Sequence, residues 1–159
     1  MPALVPWLIF IHVLSAIVAF GPTFAFGVYG AQAAKEPQHA NFMARASHHV
    51  SDRLVLPVVL SMPISGFLIV WASGINLLSA RWLLVALALY VVAVSYSILV
   101  QRPTVMRLVE LTAAPPPAGA APGPPPAVVE AAAKIRRGGM ILGLLIVLIV
   151  ALMVIKPAF

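Results

Sequence analysis

The sequence predicts an all-α protein, an integral membrane four-helix bundle with an interfacial helix before the second span. Of its 159 residues, 62% are hydrophobic and only 9% are charged, and the mean hydropathy is +1.06. Four long stretches carry no charged side chain: 1–34, 54–80, 82–101 and 138–155. About 20 apolar residues cross a hydrocarbon core about 30 Å thick, so we interpret these stretches as membrane spans.

The four spans are expected at about 4–31, 54–73, 82–101 and 138–155, within a single membrane domain that covers residues 1–159. Trp7, Trp71 and Trp82 lie near the ends of these stretches. Tryptophan prefers the headgroup layer, because its ring is apolar and its N–H is polar. The tryptophan positions therefore agree with the predicted ends.

The distribution of basic residues predicts the orientation of the chain. The first and third connections together contain eight of the ten Lys and Arg residues, whereas the other side has only Arg81 and Lys156. Positively charged connections stay in the cytoplasm. We therefore expect a multi-pass protein of the cell's inner (plasma) membrane with both termini outside.

The composition also limits the partners and the chemistry. The net charge is +6, but the basic residues are scattered among apolar runs and lack the pattern of a nucleic-acid surface. The absence of cysteine excludes disulfides, thiolate metal sites and cysteine nucleophiles. The expected partners are the lipid bilayer with its anionic headgroups, and a second copy of the chain or another membrane protein. No nucleic acid is expected.

The segment from Pro37 to Arg53 predicts an amphipathic, interfacial helix that runs into the second span. Pro37 suits a first helical position, and no glycine interrupts the segment. Its apolar residues recur every three to four positions, as in a helix that rests one face on lipid. Its interfacial polar residues are His48, His49, Asp52 and Arg53. We expect His48 and Asp52 to pair along the helix, and Arg53 to reach lipid phosphate.

The connection before the fourth span differs in composition. Seven of the fifteen residues from Ala113 to Ala127 are proline, and the others are alanine or glycine. This composition predicts a disordered or polyproline cytoplasmic tether. At 3.1 Å per residue it could reach roughly 45 Å, so the third and fourth spans need not be neighbours. A proline-rich recognition ligand is the alternative.

Small and polar residues mark the faces on which the spans pack, because close approach of helices in lipid needs small side chains. On the second span these residues are Pro57, Ser61 and Ser65, and on the third they are Ala86, Tyr90, Ala93, Ser97 and Gln101. At 1.5 Å per residue, His12, Ser65 and Tyr90 all lie about 12 Å below the outer surface. We expect His12 to share hydrogen bonds with the other two. An ionisable side chain in a span is also a functional candidate.

Two motifs of the first span resemble a known family. They are Ile11-His12-Val13-Leu14-Ser15-Ala16 and Ala19-Phe20-Gly21-Pro22-Thr23-Phe24. They are similar to the first-helix signature of small bacterial predicted integral membrane proteins grouped as a domain of unknown function. In layout that family resembles the copper-resistance CopD type and the HemJ-type protoporphyrinogen oxidases, which also begin with an apolar helix that carries a histidine. The resemblance implies a four-span protein without an established activity.

Of the two residues that the HemJ type pairs in its membrane spans, only one has a counterpart in this sequence. That family pairs its first-helix histidine with a membrane-embedded lysine, and here His12 is present but no span contains a lysine. Copper ligands are few as well, since only His39 with Met43, and His48 with His49, could share an ion. No cofactor and no metal site is predicted. A haem held by His12 alone, or completed by Met62 or another chain, stays open as an alternative.

Three functions follow from these observations. No catalytic constellation is recognised, which favours a non-enzymatic accessory or assembly-type bundle. A haem- or metal-linked redox protein centred on His12 is the alternative. A small-solute transporter is a further alternative, although no span contains the carboxylate that ion-coupled transporters use.

Overall fold

Four long helices run through the described part of the chain. The computed structural model describes residues 2–114 and 123–158. We name its helices α1 (Val5–Lys35), α2 (Pro37–Ser73), α3 (Arg81–Leu111) and α4 (Pro126–Ile155). Each is long and apolar enough to cross a membrane, and the described residues contain no strand. The predicted all-α membrane bundle is therefore confirmed.

The helices extend beyond the charge-free stretches at one end. α2 has 37 residues, about 56 Å of helix against a hydrocarbon core of about 30 Å. Its first part, Pro37–His39 and Ala40–Val50, is the helix predicted before the second span, and it continues into that span without a break. α4 already begins at Pro126, inside the predicted tether 113–127. Residues 115–122 of that tether lie outside the described residues.

The helices pack in the order α2–α1–α4–α3. α1 contacts both α2 and α4, and α4 contacts α3. α2 and α3 meet through Ala40–Val50 and Arg102–Leu111, whereas their parts nearer the connection 74–80 make hardly any close approach. α3 and α4 are thus direct neighbours, although the length of the tether left their separation open.

The core is made largely of small side chains. Ala19 of α1 and Ala86 of α3 are fully buried, and Gly138 of α4 is buried as well. Larger buried residues fill the remaining space: Met62, Leu83, Leu142, Ile146 and Ile149. Small side chains let helices approach closely where lipid provides no hydrophobic incentive to associate.

The predicted packing faces fit α3 better than α2. Every residue predicted on the inner face of α3 is buried or half-buried. On α2, Ser65 is half-buried, but Pro57 and Ser61 are exposed. The prediction for α2 is therefore wrong at those two positions. All three residues lie in the regular helix Leu56–Ser73. At 3.6 residues per turn, Ser61 and Pro57 lie about 40° and 80° around the helix from Ser65, so a four-residue spacing carries them off the packed face.

The connection 74–80 lies at the same end of the bundle as the end of α4. Gly74 ends α2 with a φ of +66°, which glycine adopts without strain. Asn76 Oδ1 accepts a 3.0 Å hydrogen bond from the amide of Leu78. At the start of α3, the ring centre of Trp82 lies 5.8 Å from Nζ of Lys156. The extended parts of α2, α3 and α4 occupy the opposite end. We label this end the inner end, and the end with the connection 74–80 the outer end.

Candidate functional site

His12 of α1 and Ser65 of α2 form a hydrogen bond between helices within the spans. Nδ1 of His12 lies 2.7 Å from Oγ of Ser65, and the imidazole lies against Gly66. Ser65 Oγ also donates to the carbonyl of Met62 at 2.9 Å. A serine hydroxyl has a single hydrogen, so both bonds form together when the proton of His12 is on Nδ1 and Ser65 accepts it. The structure brings these two predicted residues together.

Tyr90 of α3, the third residue predicted at this level, has a different partner. Its hydroxyl donates a 2.5 Å hydrogen bond to the backbone carbonyl of Val59 in α2. Val59 lies four positions before Pro63, which has no N–H to complete the helical bond to that carbonyl. The expected bond between His12 and Tyr90 is therefore replaced, because an unsatisfied backbone carbonyl in the membrane is costly.

At the inner end of the spans, Asp52 of α2 forms an ion pair with Arg102 of α3. Nε of Arg102 lies 3.0 Å from Oδ1 of Asp52, and Nη2 lies 2.8 Å from Oδ2. Nδ1 of His48 lies 3.7 Å from the same carboxylate. Asp52 therefore contacts the predicted partner His48, but Arg102 lies closer to it. Two parallel bonds between planar groups fix the geometry of both side chains. The ion pair thus joins α2 to α3.

The ion pair lies where both helices widen into a π-helical turn. The turns are Ser51–Val55 in α2 and Ser97–Gln101 in α3. In each, the amide just after the turn donates to the carbonyl of its first residue, five positions back. A proline follows closely, Pro57 in α2 and Pro103 in α3. Since proline lacks an amide hydrogen, the regular ladder is interrupted, and the wide turn adjusts the backbone around it.

Arg102 is the site residue that sequence reasoning missed, since that reasoning used it only as one of the basic residues that orient the chain. A repeated spacing could have found it. In both helices a serine is followed six positions later by a proline, as Ser51 and Pro57 and as Ser97 and Pro103. Wide turns occur often at functional positions. Two matching turns in antiparallel helices therefore indicate that both turns lie at the same depth in the bundle. Asp52 and Arg102 can meet at that depth.

A contact between α3 and α4 lies at the same end. Nε2 of Gln101 donates to the carbonyl of Ile135 at 3.1 Å. Gly138 lies directly against the side-chain ends of Gln101 and Tyr96, where a Cβ atom would collide with both. The absence of a side chain at Gly138 therefore lets Gln101 reach α4.

A further contact joins the beginning of α2 to the end of α3. Nδ2 of Asn41 donates to the carbonyl of Val109 at 2.9 Å and to Oγ1 of Thr112 at 3.0 Å. We call the packed inner parts of α2, α3 and α4 the inner extension, which comprises residues 40–55, 97–111 and 126–137. Its helices are joined by the ion pair of Asp52 and by the amides of Asn41 and Gln101.

One family of membrane proteins has a sequence model that matches almost the whole chain. That family is described as predicted integral membrane protein (DUF2269), and the match covers residues 6–157. The chain belongs to this family. No curated protein and no solved structure matches it.

The other interfacial residues predicted in the DUF2269 chain have separate environments. Nδ1 of His49 donates to the carbonyl of Arg45 at 3.2 Å, within α2. Arg53 is exposed, and no carboxylate among the described residues lies within 4.0 Å of it. Of the four, only His48 and Asp52 belong to the contact between α2 and α3.

Several polar side chains of the DUF2269 chain join its helices. In residues 2–114 and 123–158, no group of three or more His, Asp or Glu side chains could hold a metal ion. The links between helices include His12 with Ser65, Tyr90 with Val59, Asp52 with Arg102, Gln101 with Ile135, and Asn41 with Val109. These links tie α1 and α3 to α2, and α3 to α4. The DUF2269 chain is a multi-pass membrane bundle.

Proposed function

We propose that the chain is a non-enzymatic accessory bundle that assembles with another membrane protein or with a second copy of itself. The observation that carries this proposal is the use of the polar side chains within the spans. Nδ1 of His12 is bonded to Ser65, and the hydroxyl of Tyr90 is bonded to a backbone carbonyl. The groups that could act on a substrate are thus engaged in joining helices.

The links between the helices of the inner extension support the same role. The ion pair of Asp52 and Arg102 fixes α2 against α3, and Asn41 adds two hydrogen bonds at the far end. Exposed basic residues on the extension include Arg45, Arg136 and Arg137. Complementary charges on a partner would give specificity at such a surface.

We further propose that the protein lies in the inner (plasma) membrane with both termini outside and the inner extension in the cytoplasm. The support is the charge distribution. Eight of the ten Lys and Arg residues lie in the first and third connections, and positively charged connections stay in the cytoplasm.

The accessory role is tested by the mass of the protein in its own membrane. The chain weighs 16.8 kDa, and extraction in lipid-retaining polymer discs is expected to give a defined, larger assembly. Asp52→Ala should reduce the assembled fraction, because it releases the inner part of α2 from α3. Ser61→Ala is the control, since Ser61 is exposed and bonds only to its own helix. Discs that hold a single copy and no other protein would contradict the proposal.

An absorption spectrum separates the accessory role from a redox protein centred on His12. Full-length protein expressed with a supply of haem precursor is expected to show no Soret band. The matched variants are His12→Ala, within the spans, and His39→Ala, whose side chain is exposed. A Soret band that disappears in the first variant and persists in the second would replace the accessory role with a haem protein.

A further inference from the structure

A cleft opens between α3 and α4 at the inner end of the spans. Its volume is about 260 Å³, and it is lined by Leu99, Val100, Pro103, Thr104, Arg107 and Lys134. We propose that this cleft binds one anionic phospholipid, with the phosphate between Arg107 and Lys134 and an acyl chain along Leu99. The proposal goes beyond the accessory role and does not depend on it.

The lining residues change from apolar to basic along the membrane normal. Leu99 and Val100 are the last apolar residues of the charge-free stretch of α3, which ends one residue later. Arg107 follows the end of that stretch by six residues, and Lys134 precedes the charge-free stretch of α4 by four. At 1.5 Å per residue, the backbone positions of these cations lie about 9 and 6 Å beyond the apolar edge. The headgroup layer is about 5 to 7.5 Å thick on each side. The backbone of Lys134 lies within that depth, and the long side chain of Arg107 can reach back into it.

Arg107 and Lys134 come from different helices, and neither is part of an ion pair in the described residues. In the described part of the chain, neither lies within 4.0 Å of an Asp or Glu oxygen. Arg102, the nearby basic residue of α3, is instead paired with Asp52. Two unpaired cations at one cleft attract a phosphate group, which prefers basic pockets between spanning helices.

Pro103 and Thr104, the residues of the cleft next to the apolar wall, offer a phosphate no free hydrogen-bond donor. Pro103 has no amide hydrogen to offer a ligand. Thr104 Oγ1 donates to the carbonyl of Val100 at 2.6 Å, within its own helix, so its hydrogen is already used. The polar contacts available to a phosphate in this cleft are therefore those of Arg107 and Lys134.

The apolar wall favours a phospholipid over a soluble phosphate ester. Leu99 is 73% exposed, and Pro103 beside it is exposed as well. In a membrane these side chains contact acyl chains, which a soluble ester lacks. A phospholipid can use the cations and the apolar wall together, whereas a soluble ester would use only the cations.

The test is native mass spectrometry of the full-length protein in detergent micelles, with phosphatidylglycerol as the probe and neutral phosphatidylcholine as the comparison. The wild-type chain is expected to retain phosphatidylglycerol preferentially. The double variant Arg107→Gln/Lys134→Gln should lower its affinity by about 10- to 30-fold, as expected for two cations at an anionic membrane surface. The control Arg81→Gln/Lys156→Gln removes two exposed cations from the opposite end of the bundle and should leave the affinity unchanged.

Three results would overturn the proposal. They are equal losses in the two double variants, equal retention of the two lipids by the wild-type chain, and displacement of the lipid by glycerol phosphate at the same concentration. Leu99→Ser provides a second variant that keeps both cations. It should weaken the binding of phosphatidylglycerol, and unchanged binding in this variant would equally contradict a lipid site. That variant keeps the proposal testable if the first double variant fails to fold.

Discussion

The hydroxyl of Tyr90 donates a 2.5 Å hydrogen bond to the carbonyl of Val59. It does so across the outer parts of α3 and α2, which otherwise hardly approach each other. Pro63 frees this carbonyl, because proline has no N–H for the residue four positions earlier. The bond therefore satisfies a polar group within the membrane and also ties α3 to α2.

We predict that Tyr90→Phe lowers the free energy of unfolding by about 0.6 to 2 kcal/mol, the range of hydrogen bonds between membrane helices. The cost should shrink when Pro63→Ala is also present, because alanine supplies an amide hydrogen to the carbonyl of Val59. The measurement is equilibrium unfolding in micelles of both single variants and the double variant.

Tyr29→Phe is the matched control, since Tyr29 is exposed, and it should leave the stability nearly unchanged. The same cost for Tyr90→Phe with and without Pro63 would show that the freed carbonyl does not determine the role of Tyr90.

Two adjacent glycines of α4 should respond differently to alanine. A Cβ at Gly138 collides with Gln101 and Tyr96, whereas a Cβ at Gly139 meets nothing within 4 Å. Gly138→Ala forces the end of Gln101 away from the carbonyl of Ile135 and should cost about 0.6 to 2 kcal/mol, the range of one hydrogen bond between membrane helices. Gly139→Ala should be neutral or stabilising, because alanine is the better helix former. Thermal unfolding measures both, and equal effects would contradict the close contact.

The ion pair of Asp52 and Arg102 should control the mobility of the inner part of α3. Asp52→Asn or Arg102→Gln is expected to speed hydrogen exchange in Arg102–Leu111, because each removes charge from the two-bond pair. The exchange of charges, Asp52→Arg with Arg102→Asp, should restore much of the protection. Arg53→Gln serves as the control, since Arg53 is exposed. If the exchanged pair protects no better than either single variant, the ion pair is not the link between the helices.

The proposed orientation predicts the reactivity of single cysteines, which can be introduced cleanly because the chain has none. Ser79 and Ala113 are both exposed and lie in connections at opposite ends of the bundle. In intact cells, an impermeant maleimide should label Ser79→Cys and should label Ala113→Cys only after permeabilisation. The reverse pattern would invert the orientation.

The sequence predicted the helices because a long charge-free stretch is a local property that the chemistry of a lipid bilayer makes decisive. It also predicted that Ser65 lies at the depth of His12, because depth along a regular helix follows from a constant rise. Ser65 lies beyond the wide turn of α2, in regular helix, so counting back from the outer end reached it correctly.

Two contacts could not be predicted in this way. The partner of Tyr90 is a backbone carbonyl, which a pattern of side chains does not reveal. Asp52 and Arg102 lie at wide turns, and each additional residue in a turn rotates the following side chains by about 100°. The pairing of two such turns depends on how α2 and α3 align in space, which the sequence of either helix alone does not determine.

His12 and the two serines of α2 provide the last prediction. Ser65 accepts the bond from His12, whereas Ser61, about one turn earlier, is exposed and bonds only to the carbonyl of Val58. Ser65→Ala removes the acceptor and leaves the Nδ1–H of His12 without a partner inside the membrane, where no water replaces it. We expect a loss of about 0.6 to 2 kcal/mol in unfolding free energy.

Ser61→Ala removes the same hydroxyl from the same helix and should cost much less, since the carbonyl of Val58 remains within the helical ladder. In the background of His12→Ala, the two serine variants should become nearly equal, because Ser65 then has no imidazole to hold. The measurement is the free energy of unfolding, in one micelle system, of the two serine variants, of His12→Ala, and of each serine variant combined with His12→Ala. A difference between the serines that persists without His12 would mean that Ser65 stabilises α2 by itself and does not join α1 to α2.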